Sequence, residues 1–87
     1  MPELVRHRKF KKSYKKLPIK VQRAVKERLR IFAVNPFNEI LNNHSLHGTY
    51  EGCRSINVTG DFRIIYTEEL NSDIILLDIG THSQLYG

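Results

Sequence analysis

Asp61, Arg63 and His82 supply an acid, a cation and an imidazole, and the sequence around them brings the three together. Residues 62–69 (FRIIYTEE) and 74–79 (IILLDI) are rich in β-branched and apolar side chains and read as strands, with Asn71-Ser72 as the turn between them. A hairpin centred on that turn opposes residues whose numbers sum to 143, so Glu69 faces Ile74 and Asp61 faces His82. A bulge would shift this register by one residue. Asp61, Phe62 and His82 then gather at one end of the sheet, with Arg63 and Thr81 just inside. This set suits cleavage of an RNA phosphodiester without a metal. A base must take the proton of the ribose 2′-OH, an acid must protonate the departing 5′-oxygen, and a cation must hold the phosphate. Imidazole titrates near neutrality, which fits His82 as the acid. Asp61 acts as the base or orients His82. Arg63 or Arg54 holds the phosphate, because a guanidinium fork matches it better than an ammonium. Tyr86 and Phe62 can stack on bases.

Each residue also has a plainer reading. Asp61 follows Gly60 and suits a turn. Arg54 and Arg63 can pair across strands with Glu51 or Glu68. His44 and His47 fall in a loop, and His7 lies among basic residues. Tyr86 can anchor the terminus in the core. Cys53 reads as a small strand residue, and no second cysteine supports a metal site. His44, His47 and His82 make a poor zinc set, so neither metal nor cofactor is expected. No P-loop, dinucleotide-binding glycine turn or nucleophile elbow is present.

Charge is divided sharply along the chain. Residues 1–30 hold twelve of the fourteen Lys and Arg against two acids, a net charge of +10. Residues 31–87 hold two Arg against seven acids, a net charge of −5. A basic half of this density attracts polyanions by releasing their condensed counterions. The lysines at 11, 12, 15 and 16 (Lys11, Lys12, Lys15, Lys16) are the densest part of that surface. The 87 residues suffice for one domain, 1–87. A single cysteine excludes an internal disulfide and fits a reducing compartment. No apolar run approaches the ~20 residues of a membrane span. The basic N-terminus lacks the apolar stretch of a secretory signal, so a cytoplasmic location with no membrane contact is expected.

The elements that must position these residues follow from periodicity. Residues 9–17 (KFKKSYKKL) space Phe10, Tyr14 and Leu17 as a short helix. Pro18 ends it and starts a longer helix over 19–34, whose apolar stripe is Val21, Val25, Leu29 and Phe32. Asn35-Pro36 stops that helix. Residues 35–49 read as a loop, with Leu41 and Leu46 tucked onto the core. Residues 50–58 read as a strand, with Ile56 and Val58 on one face and Ser55 and Asn57 on the other. Thr59-Gly60-Asp61 turns the chain, Gly80 ends the last strand, and THSQLYG forms a tail. The fold class is therefore α+β: an N-terminal helical hairpin packed on one face of a small antiparallel β-sheet of three strands. The segment 3–8 could add an edge strand, and the tail and loop could fill the other face.

Four segments carry a family resemblance: H44-S-L-H-G48, Y50-E-G-C-R54, G60-D-F-R-I-I-Y66 and G80-T-H-S-Q-L-Y-G87. In this layout the chain resembles the RelE/ParE toxin superfamily, and within it the YafQ-like branch of bacterial toxin–antitoxin systems. The resemblance implies a type II toxin that enters the ribosome and cuts mRNA without metal. It implies neutralisation by a cognate antitoxin, and contact with operator DNA only through the antitoxin complex. By position, His82 matches the family's catalytic histidine and Asp61 a catalytic acidic position. His44 matches the loop histidine of the active site, Tyr86 a C-terminal aromatic involved in activity, and Phe62 an aromatic position. Two positions depart from the pattern. Asn57 stands where relatives carry a strand histidine, and Asp78 falls near a position that is basic in some of them. Two rivals differ in class. One is a ParE-like gyrase inhibitor without catalysis, which the H-x-L-x-G loop and the G-T-H tail oppose. The other is an inert relative serving as an antitoxin-bound repressor subunit, which Asn57 favours.

Overall fold

The computed structural model describes residues 3–86; Met1, Pro2 and the Gly87 that closes the tail motif lie outside it. A short strand, β1 (Leu4–Arg6), leads into helix α1 (Arg8–Lys15). His7 starts that helix by accepting the Lys9 N–H on its Nδ1 at 3.1 Å. Helix α2 (Ile19–Val34) follows after Pro18. Gln22 reaches back from α2 and donates through Nε2 to the carbonyls of Tyr14 and Leu17, both at 3.1 Å. The Leu17 carbonyl lies past the end of α1, and the Tyr14 carbonyl also accepts the Leu17 N–H at 3.1 Å. Asn35 caps α2 just before Pro36.

The sheet has five strands in the order β1-β5-β4-β3-β2. The others are β2 (His44–Ser45), β3 (Arg54–Asn57), β4 (Phe62–Glu68) and β5 (Ile74–Thr81). The expected antiparallel meander is present as β3, β4 and β5, but the sheet is larger and mixed. β1 joins β5 in parallel, Leu4 opposite Ile74, and β2 adds to β3 on the far side. The segment 35–49 is also not a plain loop, since it holds β2 and a 3-10 turn at Glu39–Leu41. A hydrogen-bond chain pins it down. Asn43 donates to the Pro36 carbonyl at 2.9 Å and to the Tyr66 hydroxyl at 2.7 Å, and accepts Arg54 Nε at 2.7 Å.

Apolar side chains alternate on the central strands and build a core on each face. Ile56, Val58, Ile64, Tyr66, Leu76 and Ile79 pack against Phe10, Val25, Leu29, Phe32 and Leu41. Each fully buried aliphatic side chain contributes about 1.5–3 kcal/mol. On the other face, Ile65 packs with Leu46 and Leu85, edged by Tyr50, Cys53 and Leu77. Leu85 comes from the C-terminal tail, which forms a helix, α3 (His82–Tyr86), rather than an irregular end. Loop and tail thus cover the second face, as the sequence allowed.

Candidate active site

The β4–β5 register sets the site. Phe62 opposes Thr81, Arg63 opposes Gly80 and Ile65 opposes Asp78, all on the predicted sum of 143. Past Ile65 the register slips, so that Tyr66 faces Leu76 and Glu68, not Glu69, faces Ile74. Leu77 is the extra residue, and the slip lies on the turn side of the site. Asp61 and His82 are the next positions outward from the Phe62–Thr81 pair. Asp61 is exposed in the turn, where Thr59 Oγ1 accepts its N–H at 3.4 Å and that of Phe62 at 3.2 Å. No hydrogen bond or ion pair joins Asp61 to His82 among the described residues.

His82 opens α3, and its ring lies 4.7 Å from that of Tyr86, centroid to centroid. Tyr86 in turn meets Tyr50 edge to face at 5.8 Å, and the Tyr50 hydroxyl donates to the Leu85 carbonyl at 3.3 Å. Tyr50 opens the Y50-E-G-C-R54 segment, but nothing in that motif gives it a place beside Tyr86 and α3. Gly80 lets α3 fold down on the sheet. A Cβ there would stand 3.0 Å from Gln84 Oε1 and 3.3 Å from Gln84 Cβ.

Three polar side chains form the floor beside this helix. Arg63 opposes Asn57, and Ser55 lies two residues along β3. By strand alternation all three share the face away from α1 and α2. Arg63 Nε, Asn57 Oδ1 and Ser55 Oγ are buried, and none has a hydrogen-bond partner. Buried polar atoms are nearly always satisfied, so three orphans on neighbouring rungs make this face of the sheet unusual. Asn57 and Ser55 read from sequence as the polar face of a strand, and alternation alone does not reveal their burial.

His44 sits next to this floor, because β2 places it opposite Ser55. Its Nδ1 lies 2.8 Å from the Asn42 carbonyl. A carbonyl only accepts, so Nδ1 carries the proton and Nε2 of the neutral ring is left as a lone-pair acceptor. The other candidates are scattered. Arg54 lies at the far end, opposite Tyr66, bound to Asn43 and 5.3 Å over the Phe37 ring. It does not meet Arg63 or His82. Phe62 points to the helix face and is half-buried at the core's edge. Lys11, Lys12, Lys15 and Lys16 are exposed on and just after α1. Asp78 is buried, and its Oδ1 accepts the Ser13 hydroxyl and the Ile79 N–H, both at 2.8 Å. Burial raises the Cys53 thiol pKa by desolvation, so the thiol stays protonated and a poor nucleophile at neutral pH.

The fold recurs in solved structures. YafQ from E. coli strain BL21(DE3) superposes with a TM-score of 0.83 at 20% identity, covering 100% of both chains. A YoeB/ParE toxin from Agrobacterium tumefaciens gives 0.75 at 17% identity, covering 92% of this chain and 98% of its own. The E. coli DinJ–YafQ complex gives 0.74 at 21% identity over 100% of both chains. These likenesses define the class of fold, that of the RelE/ParE-like toxins. Within it the assignment is sharper, because residues 2–87 match the family described as bacterial toxin of type II toxin-antitoxin system, YafQ. The chain belongs to that family, which bears out the resemblance read from its loop and tail motifs. No curated protein matches it.

Proposed function

We propose that this toxin is a metal-independent endoribonuclease that cuts mRNA on the ribosome and is held inactive by a cognate antitoxin. The observation that carries the reading is Arg63, half-buried on the sheet face between His44 and His82 and without a hydrogen-bond partner among the described residues. A phosphodiester laid there meets the outer nitrogens of the Arg63 guanidinium through its phosphate oxygens, over Ser55 and Asn57 on the neighbouring strand. His44 Nε2 takes the proton of the ribose 2′-OH as that oxygen attacks phosphorus. His82 returns a proton to the departing 5′-oxygen, leaving a 2′,3′-cyclic phosphate and a 5′-hydroxyl. Asp61 lies at the same sheet end and orients the His82 ring only once RNA draws the two together, and Tyr86 stacks on a base. Asn57 needs no acid–base role in this scheme, which removes the objection raised by its replacing a histidine. The lysines of α1 contact ribosomal RNA. The DinJ–YafQ complex from E. coli and the YoeB–YefM complex from Staphylococcus aureus support an antitoxin partner.

The test is primer extension on a reporter mRNA in a reconstituted translation system, with and without ribosomes. Wild-type protein is expected to give cuts positioned by codon that require ribosomes. His82→Ala is expected to cut about 10²–10⁴-fold more slowly, the usual contribution of a general acid, while still binding ribosomes. Folded wild-type protein that cuts nothing at any dose would move the assignment to a gyrase inhibitor or an inert repressor subunit.

A further inference from the structure

A cleft of about 450 Å³ opens at the same end of the sheet as the proposed site but on the side of α1 and α2, between the α1–α2 turn, the start of β4 and α3. Gln84 lines it and lies roughly half a turn around α3 from His82 and Tyr86, at about 100° per residue. Three features of the lining are chemically distinct. Leu17, Phe62 and Leu85 make an apolar wall with one aromatic ring. Asp78 Oδ2 is an acceptor whose one partner is the flexible Lys9 ammonium at 3.4 Å. Gln84 uses its Oε1 to accept the Thr81 N–H at 2.9 Å, and its Nε2 has no partner among the described residues. Lys16 adds a cation to the lining.

A free anion would leave the apolar wall uncovered, and a purely apolar ligand would leave Asp78 and Gln84 unmatched. A nucleotide uses every feature. Its base has two flat apolar faces for the wall and an edge with both N–H donors and acceptors, and its phosphate suits Lys16. The volume lies within the range of small-molecule pockets, roughly 300–1,000 Å³. We propose that this cleft holds the base of an RNA nucleotide flanking the cut and reads its edge through Asp78 Oδ2 and Gln84 Nε2. The proposal rests on the endoribonuclease reading and makes the position of the cut depend on base identity.

Two conservative variants test it. Asp78→Asn keeps an acceptor for Ser13 and Ile79 but offers an amide in place of the carboxylate. Gln84→Glu keeps the acceptor for Thr81 and removes the Nε2 donor. Each protein, its fold checked by its amide NMR spectrum, is titrated with the four ribonucleoside 5′-monophosphates and run in the mRNA cleavage assay. The expected result is that wild-type amide shifts centre on Leu17, Phe62, Gln84 and Leu85, with unequal affinities. At least one variant changes the ratio between bases tenfold, both in the titration and in the cleavage map. Amide shifts absent from the cleft, or base preferences unchanged in both variants while cleavage persists, would overturn the proposal and leave the endonuclease standing. Nucleotide binding in the cleft with altered preferences, but no cleavage by the wild type, would do the reverse.

Discussion

Of the two arginines in the acidic half, Arg63 lies in the proposed site and Arg54 does not, and alternation already separates them. Arg54 shares parity with Ile56 and Val58 and so falls on the helix face; Arg63 sits between Phe62 and Ile64 and falls on the other. Asn57 was harder to place, because a polar strand residue reads the same whether it is solvated or buried without a partner. Its position opposite Arg63 leads to a sharp expectation. Asn57→Asp would put a carboxylate beside the orphaned guanidinium and satisfy it within the protein. Thermal stability should rise and cleavage should fall at least tenfold, as read by a melting curve and primer extension on one preparation. A drop in stability with cleavage intact would remove Arg63 from the phosphate contact. Cys53 allows a prediction about pH. Its folded-state pKa lies above the ordinary thiol value through burial, so above that ordinary value the unfolded chain ionises first. Its contribution to stability is therefore lost as pH climbs past the ordinary thiol range. Iodoacetamide should alkylate the native protein more slowly than the denatured chain at the same alkaline pH.

The longer elements were legible because they repeat a pattern. Helix α2 shows four apolar residues at helical spacing, and its expected span of 19–34 coincides with Ile19–Val34. The hairpin register was correct at the site end and one residue out at the turn, since nothing in IILLDI marks Leu77 as a bulge. β2 and α3 escaped notice for a physical reason. A strand of two residues and a helix of five have no room for periodicity, and tertiary contacts define them instead. For α3 those contacts are the Leu85 side chain in the second core, the Tyr50–Leu85 hydrogen bond and the close fit over Gly80. Gly80→Ala should push Gln84 and the helix outward. Cleavage should fall at least tenfold while the far-ultraviolet circular dichroism of the remaining elements is kept. Full activity in that variant would show that α3 need not lie flat for His82 to work.

Across the whole molecule, the division of charge separates capture from chemistry. The basic helices hold most of the cations, while the floor of the proposed site retains Arg63 alone among the arginines of residues 31–87 not bound elsewhere in the fold. Reversing charge at Lys11, Lys12 and Lys15 should weaken ribosome binding and flatten its dependence on salt. The rate of cleavage on saturated ribosomes should change little. Binding assays at several ionic strengths would show this, and an unchanged salt slope would place the RNA contact elsewhere.

β1 pairs in parallel with β5, joining Leu4 to a residue seventy positions later in the chain. During synthesis the basic helices therefore emerge long before the strand against which they dock. β4 can pair with β3 at once but lacks its second partner until residues 74–81 have been made, and His82 follows directly after them. Contacts of such long sequence separation form late. A nascent chain thus lacks the strand that joins its two ends, and the His82 imidazole with it, until synthesis on the ribosome has passed residue 82, so the sheet closes and the proposed site is completed in a single late step.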